Sequence, residues 1–283
     1  MIAFLGMGLL GSNFAKALLN KGYEVQVWNR TYSKAIHLEQ FGAKVMTEVE
    51  DAVNGADRIH LTLKDDAAVN EILEKASIGF KQGCMIIDHT TTTAHGAAER
   101  TEHWKGKGYT YLHAPVFMGP QNALESTGTM LVSGDQDLIA SIEPELAKMT
   151  GKVVNFGPKN NTAAGMKLIG NLFLIALTGG IVDALSLAKG LGISPDSVGL
   201  LFNSWNPAGM VSTRLQKITS KSFDQPSWEL AMARKDAGLM MHEAEIANIV
   251  LTVIPAIAGL MDTLIDKGHG HDDWTVIGKD AVH

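Results

Sequence analysis

The chain has 283 residues, enough for one large or two ordinary domains. Lys plus Arg total 24 against 30 Asp plus Glu, a formal charge of −6, which leaves no basic surplus for nucleic acid or an anionic membrane. With 46% apolar and 19% charged residues, the chain is expected to bury a sizeable core rather than stay disordered.

In chain order, Ile2–Leu5 is a four-residue apolar run that reads as a strand. Met1 enters it with no basic stretch or cleavage site, so no secretory signal is expected. Glycines follow, then a helical pattern through Ala15, Leu18 and Leu19 that ends at Lys21 and Gly22. Glu24–Trp28 reads as a second strand and Ser33–Gln40 as a helix closed by Gly42. Apolar runs at Lys44–Met46, Ile59–Leu63 and Met85–Asp88 each precede a helix-compatible stretch, and later runs lie at Thr110–His113, Met130–Ser133 and Val153–Phe156. Alternation at this spacing predicts parallel βαβ units. Cys84, the single cysteine, precludes an internal disulfide, fits a reducing compartment, and points with the missing signal to the cytoplasm.

The pattern changes at Gly157–Thr162, a turn-rich joint with Thr162 placed to cap a helix. Helix formers then run from Ala163 to Ala188, and Ser194–Asn203, Met210–Lys217, Ser227–Asn248 and Val250–Lys267 are helical by composition. The expected architecture is an α/β dinucleotide-binding domain over 1–157, followed over 158–283 by an all-α domain led by one long interdomain helix. The longest uncharged runs, 168–182 and 246–261, fall short of the roughly 18 residues of a membrane span, so no membrane association is expected. The second run, with Pro255 expected to kink it, is apolar enough to predict a homodimer or higher homo-oligomer through the helical domain.

Gly6-Met7-Gly8-Leu9-Leu10-Gly11 follows a strand, opens a helix and leads to a second strand, the context a dinucleotide fingerprint requires. Gly6 permits the tight turn, Gly8 the approach of a pyrophosphate and Gly11 close helix–strand packing, while the helix N-terminus faces the phosphates. The second strand ends in Trp28-Asn29-Arg30-Thr31, with no acid between Glu24 and Glu39 to hold both hydroxyls of an NAD ribose. Arg30 and Thr31 suit a 2′-phosphate instead, so NADP(H) is expected in preference to NAD(H).

Lys167 stands near the start of the long helix, which carries no further charge until Asp183, and Asn171 lies one turn on along the same face. An ammonium there can polarise a carbonyl and exchange its proton, with Asn171 orienting the same oxygen. Lys235-Asp236 forms a second pair in a later helix. The densest histidine cluster, His269-Gly270-His271, has no helical partner histidine, so no metal site is expected. There is no Gly-x-Ser-x-Gly elbow, and Cys84 precedes a strand, so nucleophilic catalysis has no support.

Across nearly its whole length the sequence resembles the β-hydroxyacid dehydrogenases, the group of 3-hydroxyisobutyrate dehydrogenase and the glyoxylate/succinic semialdehyde reductases. Phe4–Gly11 resembles the N-terminal signature, with Leu10 where methionine is usual. Asp88-His89-Thr90-Thr91 resembles Asp-x-Ser-Thr, which implies that Thr91 touches the cofactor. Gly165–Asn171 is similar to the catalytic helix, implying Lys167 as general acid/base and substrate contact with Asn171 as helper. Lys235-Asp236 matches the family's late Lys-Asp and implies that Lys235 lies near the nicotinamide. The resemblance also sets Leu63 and Lys64 along the cofactor. It implies a reductase or dehydrogenase of a small carbonyl or hydroxy compound of semialdehyde, 3-hydroxy acid or 2-oxo acid type. One segment departs: His113-Ala114-Pro115-Val116-Phe117-Met118-Gly119 stands where Asp-Ala-Pro-Val-Ser-Gly-Gly is usual, so Phe117 and Met118 replace the Ser-Gly of the substrate-carboxylate site beside Gly119. A more apolar aldehyde, ketone or imine is the alternative. The related imine reductases usually lack the lysine, which favours the carbonyl reading. A non-catalytic nucleotide-binding relative is the other alternative, against which the retained Lys167 and Asn171 stand.

Overall fold

In the computed structural model, which describes residues 1–282, the chain divides into two compact units, Met1–Asn171 and the part from Leu172 onward. The first unit is built on a six-stranded parallel sheet of β1 (Ile2–Leu5), β2 (Val25–Trp28), β3 (Lys44–Met46), β4 (Arg58–Leu61), β5 (Met85–Asp88) and β6 (Thr110–His113), in the order β3-β2-β1-β4-β5-β6. The order reverses beside β1, which pairs with β2 on one side and β4 on the other, Ile2 lying opposite both Val25 and Arg58. Ligands of open α/β sheets bind outside the strand ends at such a switch point.

Alternation along β1 sends Ile2 and Phe4 to one face and Ala3 and Leu5 to the other, and each face nucleates its own apolar cluster. Helices α1 (Leu9–Asn20), α2 (Val49–Val53), α3 (Asp66–Ala76) and α4 (Ala94–Gly106) connect or cover the strands. The segment read as one helix over Ser33–Gln40 is instead two 3₁₀ turns, Tyr32–Lys34 and Ile36–Phe41. Only Leu38 among the residues of those turns is buried, too little apolar anchoring to hold a full α-helix.

A second, three-stranded sheet was not foreseen. It comprises β7 (Val116–Phe117), β8 (Thr129–Val132) and β9 (Lys152–Asn155), with β7 antiparallel to β8 and β9 parallel to it. Helices α5 (Pro120–Glu125) and α6 (Gln136–Leu146) connect its strands, and α5 packs against α1.

Helix α7 (Thr162–Gly190) has 29 residues and passes the length and apolarity of a membrane span, which the uncharged run of 168–182 alone does not. Thr162 is its first residue rather than its cap. The opening turns, through Asn171, belong to the first unit: Ala163 and Ala164 are buried, and the Ala163 N–H donates to Ser133 Oγ at 2.9 Å. The division between units thus falls inside α7, whereas the turn-rich joint precedes it. The second unit continues with α8 (Pro195–Ser204), α9 (Val211–Thr219), α10 (Leu230–Ile246) and α11 (Ile254–Leu264). Pro255 lies in the first turn of α11 and does not kink a continuous helix, because its missing N–H is unneeded there. Asp183 of α7 supplies the cap: its two carboxylate oxygens accept from the N–H groups of Thr252, Val253 and Ile254 at 2.7–3.1 Å. Those three hydrogen bonds hold its carboxyl below the usual aspartate range despite burial.

Candidate active site

The glycine loop between β1 and α1 is shaped by contacts that tell its glycines apart. Gly6 sits at φ 97°, and a side chain there would collide with the Thr62 carbonyl oxygen. A side chain on Gly11 would collide with the Gly6 carbonyl oxygen, so α1 can approach the strands only because both lack one. At Gly8 a Cβ would meet nothing within 4 Å. Internal packing therefore accounts for Gly6 and Gly11, while the freedom at Gly8 opens onto a groove. Gly8 also precedes α1 without any side-chain cap, and no acid occupies the first turn of that helix. These backbone N–H groups are placed for an anion.

The groove, about 490 Å³, is lined by Gly6, Gly8, Asn29, Arg30, Thr31, Leu63 and Lys64 among the residues singled out from sequence. It also takes in Lys34, Thr62 and Glu71, which sequence reasoning missed. Asn29 Oδ1 accepts from the Met7 N–H and its Nδ2 donates to the Thr31 carbonyl, both at 2.9 Å. The amide thus ties the glycine loop to the end of β2, a role its position after the strand did not suggest. Arg30 is exposed and lies 3.4 Å from Glu71 Oε2. Thr90 Oγ1 accepts from the Leu63 N–H at 2.9 Å, fixing the far wall, and Thr62 Oγ1 donates to the Gly6 carbonyl. Met7 and Leu9 face an adjoining depression that shares Gly8 and Lys34. Leu10 packs on the core and Gly11 is buried, so both act through the fold of the loop. Thr91 is exposed in the turn before α4 and does not line the groove. The donor set, a glycine loop opening a helix N-terminus beside the three cations Arg30, Lys34 and Lys64, fits the phosphates of a dinucleotide.

A buried imidazole pair links β4 to the segment just after β5. His89 Nδ1 lies 2.7 Å from the Ala114 carbonyl, which can only accept, so this nitrogen carries the proton. His89 Nε2 therefore accepts, and the His60 Nδ1–H donates to it at 3.0 Å. Both rings stack near Phe4. Burial holds both imidazoles neutral, pushing His89 down to about 4 and His60 well below the ordinary range. The Ala114 carbonyl held by His89 stands three residues before Phe117.

Lys167 and Asn171 lie one turn apart in the opening turns of α7, both half-buried. The Lys167 ammonium is 4.1 Å from the centre of the Phe117 ring, and burial lowers its pKa from the ordinary lysine value. Among the described residues it forms no ion pair. Met118 packs toward the core, and the Gly119 N–H donates to Asn122 Oδ1 at 2.9 Å. Lys235, on α10 in the second unit, is paired with Asp236 at 2.9 Å. Among the described residues no group of three or more His, Cys, Asp or Glu is placed to hold a metal; His269 is hydrogen-bonded to Asp272.

Comparison with known proteins adds to this geometry. Residues 1–157 match the family described as the NAD binding domain of 6-phosphogluconate dehydrogenase. The chain is 30% identical over 280 residues to glyoxylate/succinic semialdehyde reductase 2 of Arabidopsis thaliana, covering 98% of this chain and 78% of that protein. It is 26% identical over 286 residues to an NADPH-dependent reductive aminase of Aspergillus oryzae, covering 98% and 95%. In fold it is similar to an imine reductase from Myxococcus stipitatus solved with NADP+, with a TM-score of 0.92 over 98% of each chain at 22% identity. A variant of the Myxococcus enzyme solved with NAD+ gives a TM-score of 0.90 at 20% identity. A six-stranded parallel sheet with its glycine loop at the switch point, a helical second unit and a match to this family over more than half its length place the chain among the β-hydroxyacid dehydrogenases, as an NAD(P)-dependent oxidoreductase.

Proposed function

We propose that this oxidoreductase uses NADP(H) in preference to NAD(H) and interconverts a small carbonyl compound and its alcohol, with Lys167 as the proton donor and acceptor. The observation that carries the reading is the half-buried Lys167, lowered in pKa by that burial and without a carboxylate partner among the described residues, one turn from Asn171. A lysine so placed releases a proton more readily than one in water, as a general acid working near neutrality requires. When bound, the nicotinamide supplies or takes the hydride. Lys167 polarises the substrate oxygen and delivers the proton, and Asn171 orients the same oxygen. Gly8 and the first turn of α1 receive the pyrophosphate, Arg30 and Thr31 the 2′-phosphate, with Leu63 and Lys64 along the rest of the cofactor.

The test is NADPH oxidation with a panel of aldehydes and ketones. Lys167→Ala is expected to lower kcat by about 10²- to 10⁴-fold while NADPH still binds. Near-normal turnover in that variant would overturn the assignment. A second reading, reduction of a C=N bond, is favoured by the similarity to the Aspergillus reductive aminase over 98% of the chain. Turnover that appears only when an amine accompanies the ketone would select it.

The protein is proposed to work in the cytoplasm as a homodimer in which a second copy covers α7. Leu172, Phe173 and Ile175 are exposed along that helix. A protein partner suits it better than lipid, because Asp183 is ionised within it and committed to backbone donors.

A further inference from the structure

Phe117 lies in the two-residue strand β7 and Lys167 near the start of α7, yet the two side chains form one unit with Gly170. The ammonium stands over the aromatic face, 4.1 Å from its centre. A side chain on Gly170, three residues after Lys167, would collide with Phe117 Cζ and reach within 2.9 Å of Cε1. Gly170 therefore shows no turn or capping role. It is the opening through which the ring reaches the lysine. The rest of the segment offers an anion little: the Gly119 N–H is already committed to Asn122, and Met118 is turned toward the core. No carboxylate pairs with Lys167 among the described residues, so its electrostatic partner is the π face alone.

We infer that Phe117, admitted by Gly170, is the specificity-determining residue of this site, and that the substrates are uncharged aldehydes, ketones or imines bearing an apolar or aryl group. The inference rests on the role proposed for Lys167. A carboxylate beside this ammonium would lie against the ring, losing the hydration of its second oxygen without gaining a second donor there. A neutral C=O or C=N group needs only one N–H from the ammonium and leaves no second charged oxygen unpaired. The apolar part of such a substrate meets the Phe117 ring instead of a polar wall. Selection against the carboxylate is thus built into the same contact that desolvates the lysine.

The experiment compares matched pairs that differ by one carboxylate: butanal against succinic semialdehyde, and benzaldehyde against 4-carboxybenzaldehyde. The wild type is expected to favour the neutral member by about 100-fold in kcat/KM, and Phe117→Ser to narrow that ratio at least about tenfold with NADPH affinity unchanged. A readout independent of turnover uses ¹³C-dimethylated lysines. The Lys167 methyl resonance, assigned by its absence in Lys167→Arg, is expected to be shifted upfield by the ring and to return to the common position in Phe117→Leu. Equal turnover of both members by the wild type, an unchanged ratio in Phe117→Ser or an unshifted Lys167 resonance would each overturn the inference while leaving the proton-donor role of Lys167 standing. Turnover of neither member would overturn both.

Discussion

The two units of this chain solve burial in opposite ways. In the first, both faces of a six-stranded sheet are covered by the chain's own helices and turns, and its buried polar groups are largely paired: Arg100 with Asp66, Thr92 and Tyr111, Tyr111 with Asp88, and His60 with His89. In the second, a core of six buried residues around Leu230, Met261 and Leu264 is accompanied by an apolar surface that includes Leu172, Ile175, Leu200 and Trp205. That surface is where the proposed second copy would dock. In the proposed dimer, stability in the first unit is a property of one chain, while in the second it would depend in part on the second copy.

The largest expected effect breaks the first unit from inside. Gly11→Ala drives a methyl into the Gly6 carbonyl and should cost at least about 3 kcal/mol in urea unfolding. Gly8→Ala, whose methyl points into open space, should leave stability within about 1 kcal/mol and weaken dinucleotide binding. Equal stability losses would mean that the groove glycine is structural after all.

Acid should find the same unit next. His89 titrates at about 4 in the folded chain against an unfolded value near 6.5. The unfolded state thus binds a proton that the native state refuses, and the stability present above pH 6.5 is lost as pH falls through 4. This residue alone contributes about 3 kcal/mol over that window. Urea midpoints measured from pH 8 to pH 4 check it, and a flat profile would place the imidazoles in water.

Covering of the second unit is tested on α7. Leu172→Glu with Ile175→Glu should shift a dimer to monomers at micromolar concentration, weakening association by about 100-fold, or ~2.7 kcal/mol. Light scattering reads the mass, and a monomeric wild type would remove the proposed partner. The smallest effect returns to the groove. Arg30→Ala should weaken NADPH by about 30-fold, ~2 kcal/mol, and leave NADH nearly unchanged in fluorescence titration. A wild type that prefers NADH would sink this reading of the loop.

What the sequence made legible follows physical range. The strands β1, β2, β4, β5 and β6 are short apolar runs bounded by turns, and the glycine loop declares itself because its chemistry lies within six consecutive residues. The sheet of β7, β8 and β9 stayed hidden as a unit because Val116–Phe117 is too short to show a period, and its pairing with Thr129–Met130 is a tertiary fact. Pro255 misled because a proline reads alike at a kink and at a first turn, and only the carboxylate of Asp183, far away in sequence, decides which. The same limit applies to Phe117. Its replacement of serine was visible, but its seat on Gly170 and Lys167 was not, since no periodicity links a strand residue to a helix some 50 positions on.

Cys84 gives the difference between the units an experimental handle. The thiol is buried beside β5 and desolvation pushes it up to about 11, so almost none is thiolate at neutral pH. Because it is the only cysteine, a thiol reagent is blind to the second unit and to any loosening of α8 or α9. Its rate of labelling becomes a clock for openings of the dinucleotide-binding unit alone. A cofactor that binds only the closed unit slows that clock in proportion to its occupancy, so the affinity for a colourless, inactive analogue can be read from chemistry at a sulfur it never touches.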